Sequence, residues 1–84
     1  METNETKKLW EYALLIKKDW KHIYFGARPY LDAMTVLDSV DDMYGMDSGR
    51  SIVAYFLANA QTWKGETARE IKKKLNEMLK TRKR

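Results

Sequence analysis

Apolar residues recur along this chain in steps of three and four, a spacing that predicts helices and no strand. The first helix is predicted from about Glu5 to Tyr24. Its inward stripe consists of Leu9, Ala13, Ile16, Trp20 and Ile23. The second helix is predicted to begin at Pro29, because proline at a first helical position loses no hydrogen bond, and to continue to Leu37 or Val40.

Two further helices follow the same spacing. The third is predicted from about Gly49 to Thr62, and the fourth ends near Lys80. The apolar face of the third consists of Ile52, Val53, Phe56, Leu57, Ala60 and Trp63, and that of the fourth of Ala68, Ile71, Leu75 and Met78. The third has the wider apolar arc, which places it at the centre of the core. The predicted fold is all-α, a compact bundle of four helical segments in a single domain over residues 1–84, frayed at 1–4 and 81–84.

Glycines and short polar residues mark the predicted ends of these helices. Gly26 suits the left-handed backbone position that often follows a helix. Asp47 or Ser48 can cap the third helix, because a short side-chain oxygen accepts an unpaired N–H at a helix start. The stretch Asp41–Asp47 is predicted to be a loop.

The residue types exclude most catalytic and metal chemistry. There is no cysteine among the 84 residues, which removes disulfides, thiol nucleophiles and zinc–thiolate sites. His22 is the only histidine, and no partner stands at the spacing of a triad or a metal site. The aspartates do not follow the calcium-loop pattern, and the glycines are too dispersed for a phosphate loop. We therefore expect no enzymatic activity, catalytic residue, metal or cofactor.

The chain also lacks the marks of a membrane or secreted protein. Its longest apolar run, Ile52–Ala58, has seven residues, whereas a membrane span needs roughly 20. The polar N-terminus has no apolar run of a secretion signal. We expect a soluble protein that works in the cytoplasm, without a membrane partner.

Charge is unevenly distributed along the chain, whose net charge is +4. Residues 29–49 carry five aspartates and no basic residue, and residues 50–84 carry ten lysines and arginines against three glutamates. The basic part could attract an anionic partner. Alternatively, helices of opposite charge could pack side by side, and the sequence leaves both interpretations open.

Two groups of residues are candidates for binding a partner. A nucleic acid could follow the basic face of the fourth helix, formed by Arg69, Lys72, Lys73, Lys80, Arg82, Lys83 and Arg84. This face could equally be an ordinary solvent-exposed surface. A protein partner could contact the acidic segment and the aromatic loops, through Tyr30, Asp38, Asp41, Asp42, Met43, Tyr44 and Met46.

The aromatic loops allow a second interpretation. Both the stretch from Phe25 to Tyr30 and the stretch from Met43 to Met46 place large side chains beside a glycine. These side chains could close the ends of the bundle instead of contacting a partner. The chain could also bury surplus apolar surface by forming a homodimer.

The stretch from Arg28 to Met34, the stretch from Tyr44 to Ala60 and the stretch from Thr62 to Arg69 resemble small proteins encoded by phages and prophages of Gram-positive bacteria. The likeness covers about residues 28 to 79. It implies expression in the cytoplasm of a bacterial host, and it assigns no site residues, because the family has no established chemistry. Proteins of this kind often bind a host or phage component, and anti-CRISPR inhibitors of bacterial defence belong to the same general class. The expected function is a non-catalytic protein that modulates a host or phage protein, with nucleic-acid binding by the basic helix as the alternative.

Overall fold

The computed structural model describes residues 7–80, and within this range the chain forms four helices and a small two-stranded sheet. The elements in chain order are α1 (Leu9–Asp19), α2 (Arg28–Met34), β1 (Met43–Tyr44), β2 (Asp47–Ser48), α3 (Gly49–Ala58) and α4 (Glu66–Lys80). The predicted helical fold is confirmed in outline, but an all-α description is incomplete because of the sheet. The predicted fraying at 1–4 and 81–84 lies outside the described residues.

The predicted inward stripes form the core. In each helix the buried side chains recur at helical spacing, so that one face of every helix turns inward. The stripe residues Leu9, Ala13, Ile16, Trp20, Ala33, Met34, Leu37, Val40, Ile52, Val53, Phe56, Ala60, Trp63, Ala68, Ile71 and Leu75 are buried, while Ile23, Tyr30, Leu57 and Met78 pack against them partly exposed. Helix α3 contacts both α2 and α4, and α1 likewise contacts both of them.

The helices are shorter than their apolar stripes. Helix α1 ends at Asp19 and not at Tyr24, because Trp20 turns to an extended backbone (φ −90°, ψ 96°) that carries its ring onto other aromatic rings of the core. Helix α2 ends at Met34. Over the next three residues, each backbone N–H donates to the carbonyl three residues earlier, and not four residues earlier as in an α-helix. Helix α3 ends at Ala58, before Thr62, and Asn59 closes it by donating from Nδ2 to the carbonyl of Tyr55.

Two predictions about residues 26 and 41–47 are wrong. Gly26 does not take a left-handed backbone, because α1 has already ended at Asp19. Among the described glycines, the positive φ values belong to Gly45 and Gly65. The predicted loop Asp41–Asp47 contains an antiparallel hairpin in which Met43 pairs with Ser48 and Tyr44 with Asp47. A two-residue turn joins these strands, and Gly45 supplies the φ of 62° that such turns require.

Ser48 ends the hairpin and caps α3. Its Oγ accepts the N–H of Ser51 at 3.1 Å, which confirms the predicted cap and selects Ser48 over Asp47.

We expect Ser48→Ala to lower the free energy of unfolding by about 1 kcal/mol, because the N–H of Ser51 loses its acceptor. Ser48→Asn is the matched control, since asparagine is an equally good cap and should stay within a few tenths of a kcal/mol of the wild type. Urea denaturation measures both variants. Equal losses in the two variants would contradict a capping role for Ser48.

The bundle has two distinct ends. At one end, the start of α1 meets the segment before the hairpin, with the N–H of Leu9 donating to Asp38 and that of Trp10 to Leu37. The start of α3 and the end of α4 lie at the same end. Arg50 of α3 connects the two helices by donating to the carbonyl of Leu79 in α4 at 2.9 Å. We call it the hairpin end. The segments 20–27 and 59–65 lie at the opposite end, which we call the loop end.

Candidate functional site

The hairpin presents three exposed apolar side chains. Met46 at the turn is 95% exposed, Met43 is 60% exposed and Tyr44 is 46% exposed. Exposed apolar side chains grouped on one short element are candidates for contact with a partner. The structure does not support the alternative that residues 43–46 close an end of the bundle, because their large side chains are exposed.

The base of the hairpin is firmly held. The carboxylate of Asp42 accepts the N–H groups of Asp38 at 2.9 Å and Ser39 at 3.2 Å. The carbonyl of Asp42 accepts the N–H of Gly49 at 2.7 Å, and the carbonyl of Val40 accepts the N–H of Arg50 at 3.0 Å. These bonds fix the hairpin relative to α3, so little conformational entropy remains to be lost when its tip contacts a partner.

Several aspartates lie in the hairpin or just before it. Asp38 and Asp47 are exposed, and Asp41 lies 3.5 Å from the guanidinium of Arg50. Asp42 was a predicted contact residue, but its half-buried carboxylate holds the turn described above. From the predicted protein-binding set, Asp38, Asp41, Met43, Tyr44 and Met46 are all exposed and lie in the hairpin or just before it, where Met43 and Tyr44 extend from opposite faces of the strand.

Tyr30 belongs to a different surface. It lies at the start of α2, where its ring meets that of Tyr55 with 5.4 Å between centroids. The sequence grouped Tyr30 with the hairpin because both stretches place large side chains beside a glycine. Tyr55 was missed, and the available signal was its position on α3 outside the buried arc.

The acidic segment does not pair with the basic fourth helix. Asp32 pairs with Lys17 at 2.9 Å, and Asp41 pairs with Arg50. Among the described residues no ion pair joins a cation of α4 to an aspartate of residues 29–49. The pair between Asp41 and Arg50 does join the acidic segment to the basic part of the chain, so both interpretations of the charge distribution stay open.

A cationic cleft opens at the start of α4. Its volume is about 310 Å³, and its lining consists of Trp63, Lys64, Gly65, Ala68, Arg69 and Lys72. The ammonium of Lys72 donates to the carbonyl of Trp63 at 2.7 Å and lies 5.8 Å from the centre of the Trp63 ring. Burial, and secondly the charge of Lys64, lower the pKa of Lys72. Positive charge is thus concentrated here, where an anion would relieve the repulsion.

The predicted nucleic-acid residues that the structure describes are spread along α4. Arg69 and Lys72 line the cleft, and Lys73 is exposed one position further along α4. Lys80 lies eleven residues beyond Arg69, about 16 Å along the helix axis, at the hairpin end. Arg82, Lys83 and Arg84 lie outside the described residues.

The remaining candidates concern chemistry and membranes. Within residues 7–80 no three histidine, cysteine or acidic side chains come together to hold a metal ion. His22 is exposed in the segment after α1. In the same part of the chain, no helix combines the length and apolar character needed to cross a bilayer.

Comparison of this chain with protein-family models, with curated proteins and with solved structures finds no match. The resemblance to small phage-encoded proteins therefore stays a prediction, and the function has to be argued from the surfaces described above.

Proposed function

We propose that this chain is a small non-catalytic binding protein that engages and modulates another protein through its hairpin end. The observation that carries the proposal is the exposed apolar tip, led by Met46 at 95% exposure, on a hairpin whose base is held by backbone hydrogen bonds. In the bacterial setting implied by the sequence resemblance, the partner is a host or phage protein. A component of a defence system, the target of anti-CRISPR proteins, is one such class.

The composition of the hairpin end defines the partner surface that would fit it. Methionine side chains adapt their shape to an apolar pocket, and tyrosine adds a large contact area with a polar tip. The exposed carboxylates of Asp38 and Asp47 favour a positive rim around that pocket. The complementary surface is therefore an apolar depression bordered by lysine or arginine.

The proposal is tested by affinity capture from nuclease-treated host cells, followed by a measured affinity for the captured protein. We expect Tyr44→Ala/Met46→Ala to weaken binding by about 30-fold or more, because central apolar contacts contribute most of the energy of an interface. The matched control is Leu14→Ala/Leu15→Ala in the middle of α1, away from the hairpin end, which should bind like the wild type.

Two results would overturn the proposal. One is a partner that binds the hairpin variant as tightly as the wild type, which would place the interface elsewhere. The other is capture that disappears after nuclease treatment, which would mean that the wild type associates with proteins only through nucleic acid. Binding that persists at moderate salt supports an interface with an apolar centre.

A further inference from the structure

Two pairs of aromatic side chains, which together we call the aromatic row, lie at the loop end. The rings of Tyr24 and Phe25 lie 5.0 Å apart, and those of Tyr30 and Tyr55 lie 5.4 Å apart. Asn59 joins the two pairs, since its Nδ2 donates to the carbonyl of Tyr55 at 2.9 Å. Asn59 also lies close to the first pair, because a Cβ placed on Gly26 would lie only 3.0 Å from Asn59 Oδ1.

The row is open to solvent, although its backbone is held in place. Phe25 is 78% exposed, Tyr55 is 53% exposed and Tyr24 is 44% exposed. The segment carrying the first pair is a tight turn in which the N–H of Ala27 donates to the carbonyl of Tyr24 at 2.9 Å and that of Arg28 to Phe25 at 3.3 Å. Phe25, Tyr55 and Tyr24 are therefore accessible to an external group, while Tyr30 packs partly buried against the core.

The surroundings of the row are positively charged. Neither of the segments that build it, residues 20–31 and residues 48–65, contains an aspartate or glutamate. Lys21 and Arg28 are exposed in the first segment and Lys64 in the second, and none of them forms an ion pair among the described residues. Of the carboxylates that flank these segments, Asp19 accepts from Trp63 Nε1 at 2.8 Å and Asp32 pairs with Lys17, whereas Glu66 is exposed at the start of α4.

We propose that the loop end binds single-stranded nucleic acid. Unpaired bases stack on Phe25, Tyr24 and Tyr55, because any base offers a flat face to an exposed aromatic ring. Phosphates contact Arg28 and the cationic cleft. Exposed rings flanked by unpaired cations fit this ligand better than a protein surface, which would have to supply both apolar area and several carboxylates.

Single strands are selected because paired bases keep their faces stacked inside a duplex. The recognition does not depend on base sequence, since stacking needs only the face of a base. This site is independent of the proposed protein-binding function, because the hairpin lies at the opposite end of the bundle.

The binding test is fluorescence anisotropy at low salt with three probes of equal length. These are a labelled oligothymidylate of about 15 nucleotides, a duplex, and an abasic strand with the same phosphates. We expect the oligothymidylate to bind at least about tenfold more tightly than either of the others, because it alone offers unpaired bases. Absence of binding, or equal binding of the abasic strand, would overturn the proposal.

Variants then locate the site. Phe25→Ala and Tyr55→Ala should each weaken binding of the oligothymidylate by about tenfold. Arg28→Gln should reduce the salt dependence by about 0.7 in the log–log slope, because one phosphate contact is lost. Met46→Ala, at the other end of the bundle, should bind like the wild type. Circular dichroism checks that each variant is folded. If only Met46→Ala weakened binding of the oligothymidylate, the proposal would be overturned.

Discussion

Replacing Trp63 by alanine is expected to lower the free energy of unfolding by about 3–5 kcal/mol, a large part of the stability of a domain of this size. Trp63 is 2% exposed and is the largest fully buried side chain among the described residues. Its ring stacks on Trp20 at 5.8 Å and meets the edge of Phe56 at 6.3 Å. Alanine would leave a cavity between these rings, which the surrounding helices could fill only in part.

Trp63 also joins three parts of the chain through polar atoms. Its Nε1 donates to Asp19 at the end of α1 at 2.8 Å, and its carbonyl accepts the ammonium of Lys72 in α4 at 2.7 Å. Alanine retains the carbonyl but removes the donor to Asp19. The loop end should therefore loosen first, and the cationic cleft should lose its shape together with the core.

Urea denaturation followed by circular dichroism measures this loss. Trp63→Phe keeps an aromatic ring but lacks the donor to Asp19, so it should lose less than half as much stability as Trp63→Ala. Phe25→Ala is the matched control, since this aromatic side chain is 78% exposed, and its loss should stay below about 1 kcal/mol. A stability of Trp63→Ala within 1 kcal/mol of the wild type would contradict the central position of this ring.

Apolar spacing predicted the buried faces of the helices but could not predict where the helices end. Burial follows the helical repeat, so the stripes of α1 and α3 could be identified from residue order alone. The end of α1 depends on Trp20, whose ring must reach Trp63, a residue 43 positions away in the chain. No local signal marks such a contact, and the predicted helix therefore continued too far.

The hairpin was missed for a different reason. Its strands have two residues each, which is too short for the alternation of apolar and polar residues that predicts a strand. The remaining signal was Gly45 at the first position of a two-residue turn, a known preference of hairpins.

The candidate surfaces could be predicted only in part. Met43, Tyr44 and Met46 are close in the sequence, so their grouping at the hairpin was accessible from residue order. The aromatic row required the fold, because Tyr30 and Tyr55 come from different helices and meet only when α2 packs against α3. The basic face of α4 was predicted from the sequence, and the fold adds that α4 runs the length of the bundle and carries Arg69 and Lys80 at opposite ends.

Gly49→Ala is expected to be the second strongly destabilising change, with a loss of about 3 kcal/mol. A Cβ at this position would lie 2.7 Å from the carbonyl oxygen of Ser39 and 2.9 Å from Cα of Val40. Both are backbone atoms, so no side chain can turn aside to make room. The chain would have to separate where Gly49 donates to Asp42 and Arg50 donates to Val40, which weakens two backbone hydrogen bonds.

Gly45→Ala provides the matched comparison for Gly49→Ala. Among the described residues nothing lies within 4 Å of a Cβ at Gly45, so only its φ of 62° opposes a side chain there, at a cost of about 1 kcal/mol. Thermal and urea denaturation should therefore rank the wild type first, Gly45→Ala second and Gly49→Ala last. The opposite order of the two variants would show that the hairpin is not seated on α3 through Gly49. In the expected order, the same contact that stabilises the fold also fixes the direction in which Met46 is presented to a partner.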